Sequence, residues 1–403
     1  MRSALDDLLV VDLTRVLAGP YATMLLADLG ARVIKVEQPE SGDDTRRWGP
    51  PFTASGESAY FLSANRNKES ITLNLKAAEG RAILHKLVAR ADILVENFRV
   101  DMTRRLGLDY SSLCEENLGL IYCSITGYGQ TGPYRERPGY DAVIQAQGGV
   151  MSITGPASRS EAGPGEPFKV GVAVVDVTAG LQAATAILAA LHHRSRSGQG
   201  QYIDIALFDT QLSWLVNVAS AYLVSGEPPQ RYGNAHASIV PYQTVPTADG
   251  WLMLAVGNDG QFAALCTVLD CAALAVDPRF ATNPQRVAQR ELLLPLLEER
   301  LRTQPGAYWL ERLLAAGVPC GPVNDIPTAL ADPQAQARQM VQTVAHPHTG
   351  PVPLVGPASK LSATPATIRS APPLLGEHTE AVLQEFLGYD AEKVADLRQR
   401  GVV

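Results

Sequence analysis

An aspartate at the start of a long apolar helix has the clearest chemical potential in this sequence. Asp176 follows the apolar run 170–175 and begins a helical pattern that extends to Arg194. One interpretation is a helix N-cap, because a carboxylate there accepts hydrogen bonds from exposed amides and interacts favourably with the helix dipole. The other is a nucleophile, which the helix terminus keeps ionised while neighbouring amides hold a developing oxyanion. The local sequence leaves both interpretations open.

Basic and amide side chains near predicted strand ends form a second group of candidates. The cations in this group are Arg46, Arg47, Arg66, Lys68, Arg104 and Arg105. Any one of them is simply explained as part of a solvated face, but together they can bind a phosphorylated small molecule. Asn97 and Phe98 end a predicted strand, where α/β folds present ligand-binding loops.

Three motifs that suggest a cofactor or a metal lack the context that each requires. Gly127–Gly132 matches GxGxxG after a strand, but Pro133 follows at once and no amphipathic helix begins, which disfavours a nicotinamide or flavin cofactor. His346 and His348 have no third ligand at suggestive spacing, so we predict a solvated loop and no metal site. The five cysteines form no CxxC pair and lack basic neighbours, so we interpret them as reduced core residues.

The elements that must position these residues alternate between strand and helix. We predict strands at 8–13, 32–36, 70–75, 93–95, 120–125 and 202–206, and helices at 20–30, 77–91, 176–194 and 208–223. The repeated strand–helix–strand order indicates an α/β fold with a Rossmann-like large domain and a mainly parallel sheet.

A change of composition at 225–229, where Pro and Gly accumulate, indicates a domain boundary. We predict the first part of a large catalytic domain over 1–224 and a smaller α+β domain over 225–330. The chain then returns to the large domain over 331–403. Within 319–373 the sequence is rich in Pro and Gly, as expected for an extended strap over a surface.

Charge and hydropathy narrow the class of protein. The 403 residues carry 34 Lys and Arg against 41 Asp and Glu, and the net charge of −7 is not the footprint of a nucleic-acid binder. No uninterrupted apolar run approaches the ~18 residues of a transmembrane helix. The first residues are acidic, unlike those of a targeting peptide. We therefore predict a soluble cytoplasmic protein that binds neither nucleic acid nor membrane.

Several segments, taken in order along the chain, resemble the family III CoA-transferases, a group that includes formyl-CoA transferase and carnitine CoA-transferase. The segments are 12–20, 30–37, 42–46, 95–98, 127–133, 171–176, 317–323 and 373–379. Each is weak alone, but their order and spacing are specific, and they extend over essentially the whole chain. Segments 43–52, 122–126 and 236–243 are most similar to the branch that uses succinate and hydroxymethylglutarate.

The resemblance implies an activity and a site. Members of this family move CoA between an acyl-CoA and a carboxylic acid, and Asp176 matches the aspartate that forms an aspartyl-CoA thioester. For this chain the resemblance implies succinyl-CoA and a dicarboxylic acid as substrates, with the CoA thioester as a co-substrate and no other cofactor. The matching CoA-site residues are Val16, Ala18, Lys68, Asn97, Phe98 and Arg105. Gln38 stands where some relatives place an arginine beside the nucleotide.

The resemblance also suggests substrate contacts and an assembly. The candidate substrate contacts are Arg15, Arg46, Tyr140 and His236. An arginine can grip a distal carboxylate bidentately, although Arg15 and Arg46 could instead pair with Asp43 or Asp44. The Gly-rich loop of formyl-CoA transferase has no counterpart here, and 233–236 is predicted in its place. Family members form interlocked homodimers, so we expect a homodimer.

Two other functions stay open. The first is an isomerase of the α-methylacyl-CoA racemase type, which needs two acid/base groups beside the α-carbon. The histidine that supplies one of them in racemases is replaced by Tyr140, and a phenol with an ordinary pKa near 10 is a poor base at neutral pH. The second is a CoA-ester binding protein without turnover, which Asp176 disfavours.

Overall fold

Six parallel strands form the largest sheet of the computed structural model, which describes residues 3–157 and 165–403. The strands are β1 (Leu9–Asp12), β2 (Arg32–Glu37), β3 (Lys68–Thr72), β4 (Ile93–Glu96), β5 (Ile121–Thr126) and β6 (Tyr202–Ala206). Their order in the sheet is β3-β2-β1-β4-β5-β6, so the direction of winding reverses between β1 and β4. The predicted α/β fold with a mainly parallel sheet is confirmed.

Short and long helices connect these strands. They are α1 (Ala18–Asp28), a 3-10 turn (Asp44–Arg47), α2 (Ala59–Ala64), α3 (Ala78–Val88), α4 (Met102–Leu106), α5 (Tyr110–Cys114), α6 (Asp141–Gln147), α7 (Val150–Ile153), α8 (Val174–Ser197), α9 (Leu207–Ser213) and α10 (Val216–Ser225). The single helix predicted at 208–223 is two helices, and Val216, the first residue of α10, has a φ of 37° where the second one begins.

A three-stranded antiparallel sheet organises the middle of the chain. It contains β7 (Tyr242–Pro246), β8 (Trp251–Ala255) and β9 (Cys320–Pro322). The helices of this region are α11 (Asp259–Val268), α12 (Ala273–Val276), α13 (Asn283–Ala288), α14 (Arg290–Leu301), α15 (Gly306–Ala315) and α16 (Ile326–Ala331). Buried side chains from β7, β8, α11, α14 and α15 form a separate apolar core here.

The last part of the chain contains more regular structure than the predicted strap. It forms α17 (Pro333–Ala337), the antiparallel hairpin β10 (Val341–His346) and β11 (Gly350–Val355), and then α18 (Thr379–Leu387) and α19 (Ala391–Gln399). His346 is buried rather than solvated, and its Nδ1 accepts the amides of His348 and Thr349 at 3.3 and 3.2 Å. This histidine therefore shapes the hairpin turn.

Helices cover both faces of the parallel sheet. On one face, apolar residues of α1 and α8 share a core with the strands. On the other face, α3, α18 and α19 do the same. Gly180 permits the close approach of α8 to α1, since a Cβ there would lie 2.7 Å from the carbonyl oxygen of Ala18. This two-sided cover explains why the central strands are almost continuously apolar.

The chain divides into two units. The first comprises Met1–Val150, Val170–Asn217 and Pro333–Val403, and the second comprises Met151–Lys169 and Val218–Asp332. Residues 151–157 and 165–169, which were predicted to belong to the large domain, group with the second unit. The parallel sheet and all of the C-terminal helices from α17 onward belong to the first unit.

Helix α8 differs from the expectation that no segment has the length and apolar composition of a transmembrane helix. Among the described residues it is the one helix that is long and apolar enough, by length and composition alone, to cross a membrane. Core helices of water-soluble proteins meet the same criterion. Val175, Ala179 and Ala183 on this helix are buried in the core that α8 shares with α1.

Candidate active site

The cavity that contains Asp176 lies where the strand order of the parallel sheet reverses. The loops that follow β1 and β4 lead to opposite sides of the sheet from here, which makes this place the switch point of the sheet. In an open α/β sheet, ligands usually bind at the switch point, outside the carboxyl ends of the strands. A cavity of about 170 Å³ occupies it. Its walls come from the loops after β1, β4 and β5 and from the start of α8, and they include Arg15, Val16, Ala18, Asn97, Phe98, Tyr140 and Asp176.

A buried ion pair holds the loop after β1. Val16 has a φ of 72°, in the left-handed region that is rare for a β-branched residue. Its amide donates to the carboxylate of Asp43 at 3.2 Å, and Lys35 binds the same carboxylate at 2.9 Å. Both side chains of the Lys35–Asp43 pair are fully buried. This pair therefore fixes the turn that carries Arg15 and Val16.

Asp176 is the third residue of α8 and lies half-buried in the wall of the cavity. The N-cap position is occupied by Ala173, so the N-cap interpretation of Asp176 is wrong. Burial, together with the charge of Asp141, raises the pKa of Asp176 to about 7. A carboxylate with such a pKa is a stronger base and a better nucleophile than an exposed aspartate.

The residue that caps α8 is Asp141, the first residue of α6. Its Oδ2 accepts the amides of Val175 at 2.8 Å and of Asp176 at 3.2 Å. Its Oδ1 accepts the side-chain amide of Gln145 at 2.5 Å. The amide of Val177 donates within the helix to Ala173 at 3.1 Å. The amides next to Asp176 are thus occupied, and the predicted oxyanion role for them is wrong.

Two glycines bring Asp141 to the start of α8. A Cβ on Gly127 would lie 2.7 Å from the Cα of Gly139, so the backbones of the β5 loop and of the segment before α6 can touch only because both residues are glycine. No helix begins within 127–132 or directly after it, and the next helix is α6. The glycines of this motif therefore serve chain packing here.

A second cavity of about 360 Å³ lies in the same unit, at the carboxyl ends of β1, β2 and β3. Phe98 and Arg15 border both cavities. Gln38 and the exposed Lys76 line the second cavity as well. Arg105 is exposed on α4, a helix whose Met102 and Leu106 line this cavity. The two cavities together form a path along the ends of five strands, β1 to β5.

The structure contradicts the predicted role of Lys68 near the phosphates of CoA. Its side chain is fully buried, and its ammonium group donates to Asp12 at 3.1 Å, to Asn65 at 3.0 Å and to the carbonyl of Pro20 at 2.9 Å. Burial lowers the pKa of Lys68 to about 8. A side chain enclosed in this way cannot reach a ligand, so Lys68 is a structural residue.

Arg46 is also occupied elsewhere, contrary to its predicted contact with substrate. Its guanidinium group binds Glu37 at 2.7 Å and the carbonyl of Pro373 at 3.2 Å, and it lies 3.7 Å from the ring centroid of Phe61. Arg15 differs, because it lines the first cavity and its side chain is 55% exposed. It pairs with Asp44 at 3.3 Å, as the alternative interpretation expects.

The remaining candidate residues fall in both units. Tyr140 is 65% exposed on the wall of the first cavity. His236 belongs to the second unit, where its Nδ1 accepts the amide of Ser238 at 3.1 Å. Its contact with substrate stays a prediction. Within the two described ranges, no group of three or more His, Cys, Asp or Glu side chains could hold a metal ion.

Asp141, Gln145 and Lys76 were not among the site residues predicted from sequence. A signal for the first two is present, because Asp141 and Gln145 are four residues apart and so share one face of a helix. Tyr60 is a further neighbour of the site. Burial and the charges of Asp176, Asp141 and Asp43 raise the pKa of Tyr60 to about 12, so its hydroxyl remains a hydrogen-bond donor at neutral pH.

The doubly wound sheet, the cavity at its switch point and the basic carboxylate at the start of α8 define an α/β enzyme suited to acyl transfer. The sequence model of CoA-transferase family III matches residues 5–379, and the chain belongs to this family. The resemblance found in the sequence is thereby confirmed.

Named relatives agree with this assignment. Human succinyl-CoA:glutarate CoA-transferase is 44% identical over 399 residues, which are 99% of this chain and 90% of the human protein. Succinate–glutarate CoA-transferase from Agrobacterium fabrum is 49% identical over 393 residues, with 95% of each chain covered. The crystal structure of a CAIB/BAIF family protein from Brucella suis has a TM-score of 0.85 at 48% identity, and the match covers 96% of this chain and 100% of that chain.

Proposed function

We propose that this enzyme transfers CoA from succinyl-CoA to a dicarboxylic acid, and that Asp176 is its nucleophile. The observation that carries the proposal is the half-buried carboxylate of Asp176 in the cavity at the switch point of the sheet. The named relatives that use succinyl-CoA or succinate together with glutarate support this choice of substrates.

The proposed reaction proceeds through acyl derivatives of Asp176. A carboxylate oxygen attacks the thioester carbonyl of succinyl-CoA, the C–S bond breaks, and a mixed anhydride and the CoA thiolate result. The thiolate attacks the aspartyl carbonyl of the anhydride, the C–O bond breaks, and succinate leaves as its carboxylate. The aspartyl-CoA thioester that remains reacts with the acceptor acid in the reverse order. No proton is gained or lost overall.

The CoA ester occupies the path formed by the two cavities in this proposal. The part of CoA nearest the thioester contacts residues that line the first cavity with Asp176, namely Val16, Ala18, Asn97 and Phe98. Lys76 replaces Lys68 as the cation for the phosphates, because it is exposed and lines the second cavity. Arg105 is the second cation, on an adjoining helix. CoA ester and acid are the substrates, and the reaction needs no other cofactor.

The second carboxylate of the acceptor requires a cation in the first cavity. Arg15 is the first choice, and its salt bridge to Asp44 is exposed enough to exchange for a ligand. Arg99 and Arg137 also line this cavity, and neither has a salt-bridge partner among residues 3–157 and 165–403. Tyr140 and His236 keep their predicted role as substrate contacts.

Further parts of the proposal concern the protein as a whole. The first unit is the CoA-binding catalytic domain, and the second corresponds to the small domain. The protein is cytoplasmic, forms a homodimer, and binds neither nucleic acid nor membrane. The net charge of −7 and the buried face of α8 support the last point.

An isomerase of the racemase type is the second candidate, and the cavity disfavours it. Among the described residues that line the cavity there is no histidine, and Tyr140 occupies the segment where a racemase has one. One experiment separates the two functions. Purified enzyme is incubated with succinyl-CoA and a panel of mono- and dicarboxylic acids in heavy water, and CoA esters are identified by mass spectrometry. Transfer to glutarate without α-deuterium uptake supports the proposal; α-deuteration without new CoA esters contradicts it.

A further inference from the structure

Asp141 is a buried negative charge without a cationic partner. Asp141 is 8% exposed. No Lys, Arg or His in the described parts of the chain lies within salt-bridge distance of its carboxylate. Within 3–157 and 165–403, its two oxygens accept only neutral N–H groups, from Val175, Asp176 and Gln145. Asp12 and Asp43, two other buried carboxylates of this unit, each have a lysine partner. An unpaired buried charge is costly, so its retention beside the nucleophile calls for a functional reason.

We propose that Asp141 is a positioning residue whose unpaired charge disfavours the carboxylate of Asp176 relative to its uncharged acyl derivatives, and so promotes formation of the aspartyl-CoA thioester. This inference rests on the proposed function, in which Asp176 is the nucleophile. When the thioester forms, the released acid takes the negative charge away from Asp176. Repulsion between the two aspartates is then relieved, and the thioester gains stability relative to the free carboxylate.

The hydrogen bonds of Asp141 make this repulsion specific. Because Oδ2 binds the amides of Val175 and Asp176, the Asp141 carboxylate is fixed at the first turn of α8 and cannot rotate away from Asp176. Gln145 restrains the other oxygen, and its own Oε1 accepts the amide of Val170 at 2.9 Å. The raised pKa of Asp176 agrees with this arrangement, although burial is its larger cause.

The test uses Asp141→Asn, which retains an oxygen acceptor for the amides of α8 but removes the charge. We expect the acid limb of kcat/KM to move to lower pH, because Asp176 then loses its proton more easily. The plateau kcat should fall, since a less basic carboxylate is a weaker nucleophile. Enzyme incubated with succinyl-CoA alone should also carry less covalent CoA, by up to about tenfold for each pH unit that the limb moves.

Gln145→Ala is the matched control, because it removes a hydrogen bond of Asp141 and leaves its charge. We expect this variant to be less stable, with the acid limb at its wild-type pH. If Asp141→Asn does not fold, Asp141→Ser provides another neutral capping residue. An Asp141→Asn or Asp141→Ser enzyme with the wild-type acid limb and the wild-type amount of covalent CoA overturns the proposal for Asp141. Full activity of Asp176→Asn would instead overturn the proposed function, so the two failures are distinguishable.

Discussion

The side chain of Asn97 connects the loops after β1 and β4 at the switch point, because it forms hydrogen bonds with both the backbone amide and the backbone carbonyl of Arg15. The amide of Arg15 donates to Oδ1 of Asn97 at 3.0 Å, and Nδ2 of Asn97 donates to the carbonyl of Arg15 at 2.7 Å. These bonds connect the loop after β1 to the end of β4 at the wall of the cavity. The side chain of Asn97 therefore helps to fix the position of Arg15 at the cavity wall.

Replacing Asn97 should weaken binding of the CoA ester more than it slows the chemical steps. Each lost hydrogen bond is worth about 1 kcal/mol, so we expect Asn97→Ala to raise the KM for succinyl-CoA by about 5- to 30-fold. Asn117→Ala is the control, because Nδ2 of Asn117 donates to the carbonyls of Val88 and Ala91 and its side chain lines neither cavity. An equal rise of KM in both variants would show that the effect is not local to the cavity.

Replacement of Lys68 should lower the stability of the protein, whereas replacement of Lys76 should weaken its binding of CoA. We expect Lys68→Met to lower the free energy of unfolding by about 3 kcal/mol, because it leaves the buried carboxylate of Asp12 without its ammonium partner. Lys76→Met should leave thermal stability unchanged, raise the Kd of CoA and reduce the salt dependence of binding. Urea unfolding and calorimetric titration measure these effects. A stable Lys68→Met protein with weak CoA binding would return Lys68 to the ligand site.

Replacement of Arg15 should change the selectivity for the acceptor acid, whereas replacement of Arg46 should change the stability of the protein. We expect Arg15→Ala to lower the preference for glutarate over butyrate by about tenfold, since a charged hydrogen bond to the distal carboxylate is lost. Arg46→Ala should lower the melting temperature and leave this preference unchanged, because Arg46 binds Glu37 and Pro373. Unchanged selectivity in Arg15→Ala would redirect attention to Arg99 and Arg137 as the binding group.

The ionised carboxylate of Asp176 should lower the free energy of unfolding of the ligand-free enzyme above neutral pH. Its pKa is raised from 3.8 to about 7 in the folded protein, so the native state binds more protons than the unfolded state between these values. The free energy of unfolding therefore decreases as the pH rises through this range. We expect Asp176→Asn to melt a few degrees above the wild type at pH 8 and close to it at pH 4. Equal melting temperatures at pH 8 would contradict the raised pKa.

The central strands of the parallel sheet were predictable from sequence because they are apolar on both faces. The predicted segment 202–206 coincides with β6, and the other strands differ from prediction by only a few residues. The hairpin β10–β11 was not predictable in the same way, because Pro351 and Pro353 argue against a strand. A two-stranded ribbon has only edge strands, where a missing N–H is tolerated.

Contacts between distant parts of the sequence decide which candidate side chains reach a ligand. In the sequence, Lys68 cannot be distinguished from an exposed surface cation. In the fold, β3 places it beside Asp12, which is 56 residues away. Arg46 is likewise held by Pro373, at a separation of 327 residues. Asp141 caps a helix that begins more than 30 residues later, so a search near Asp176 cannot find it. The resemblance to the family indicated Asp176 as the proposed nucleophile, whereas its neighbour Asp141 became apparent only in the fold.

Covalent capture of CoA on Asp176 tests the central claim most directly. Wild-type enzyme and Asp176→Asn are incubated with succinyl-CoA without an acceptor, and their intact masses are measured before and after hydroxylamine. We predict a CoA adduct on the wild type that hydroxylamine converts to a hydroxamate at Asp176, within the tryptic peptide 170–194. The Asn variant should carry no adduct and transfer no CoA. An adduct on another residue, or transfer by Asp176→Asn at the wild-type rate, would contradict the account.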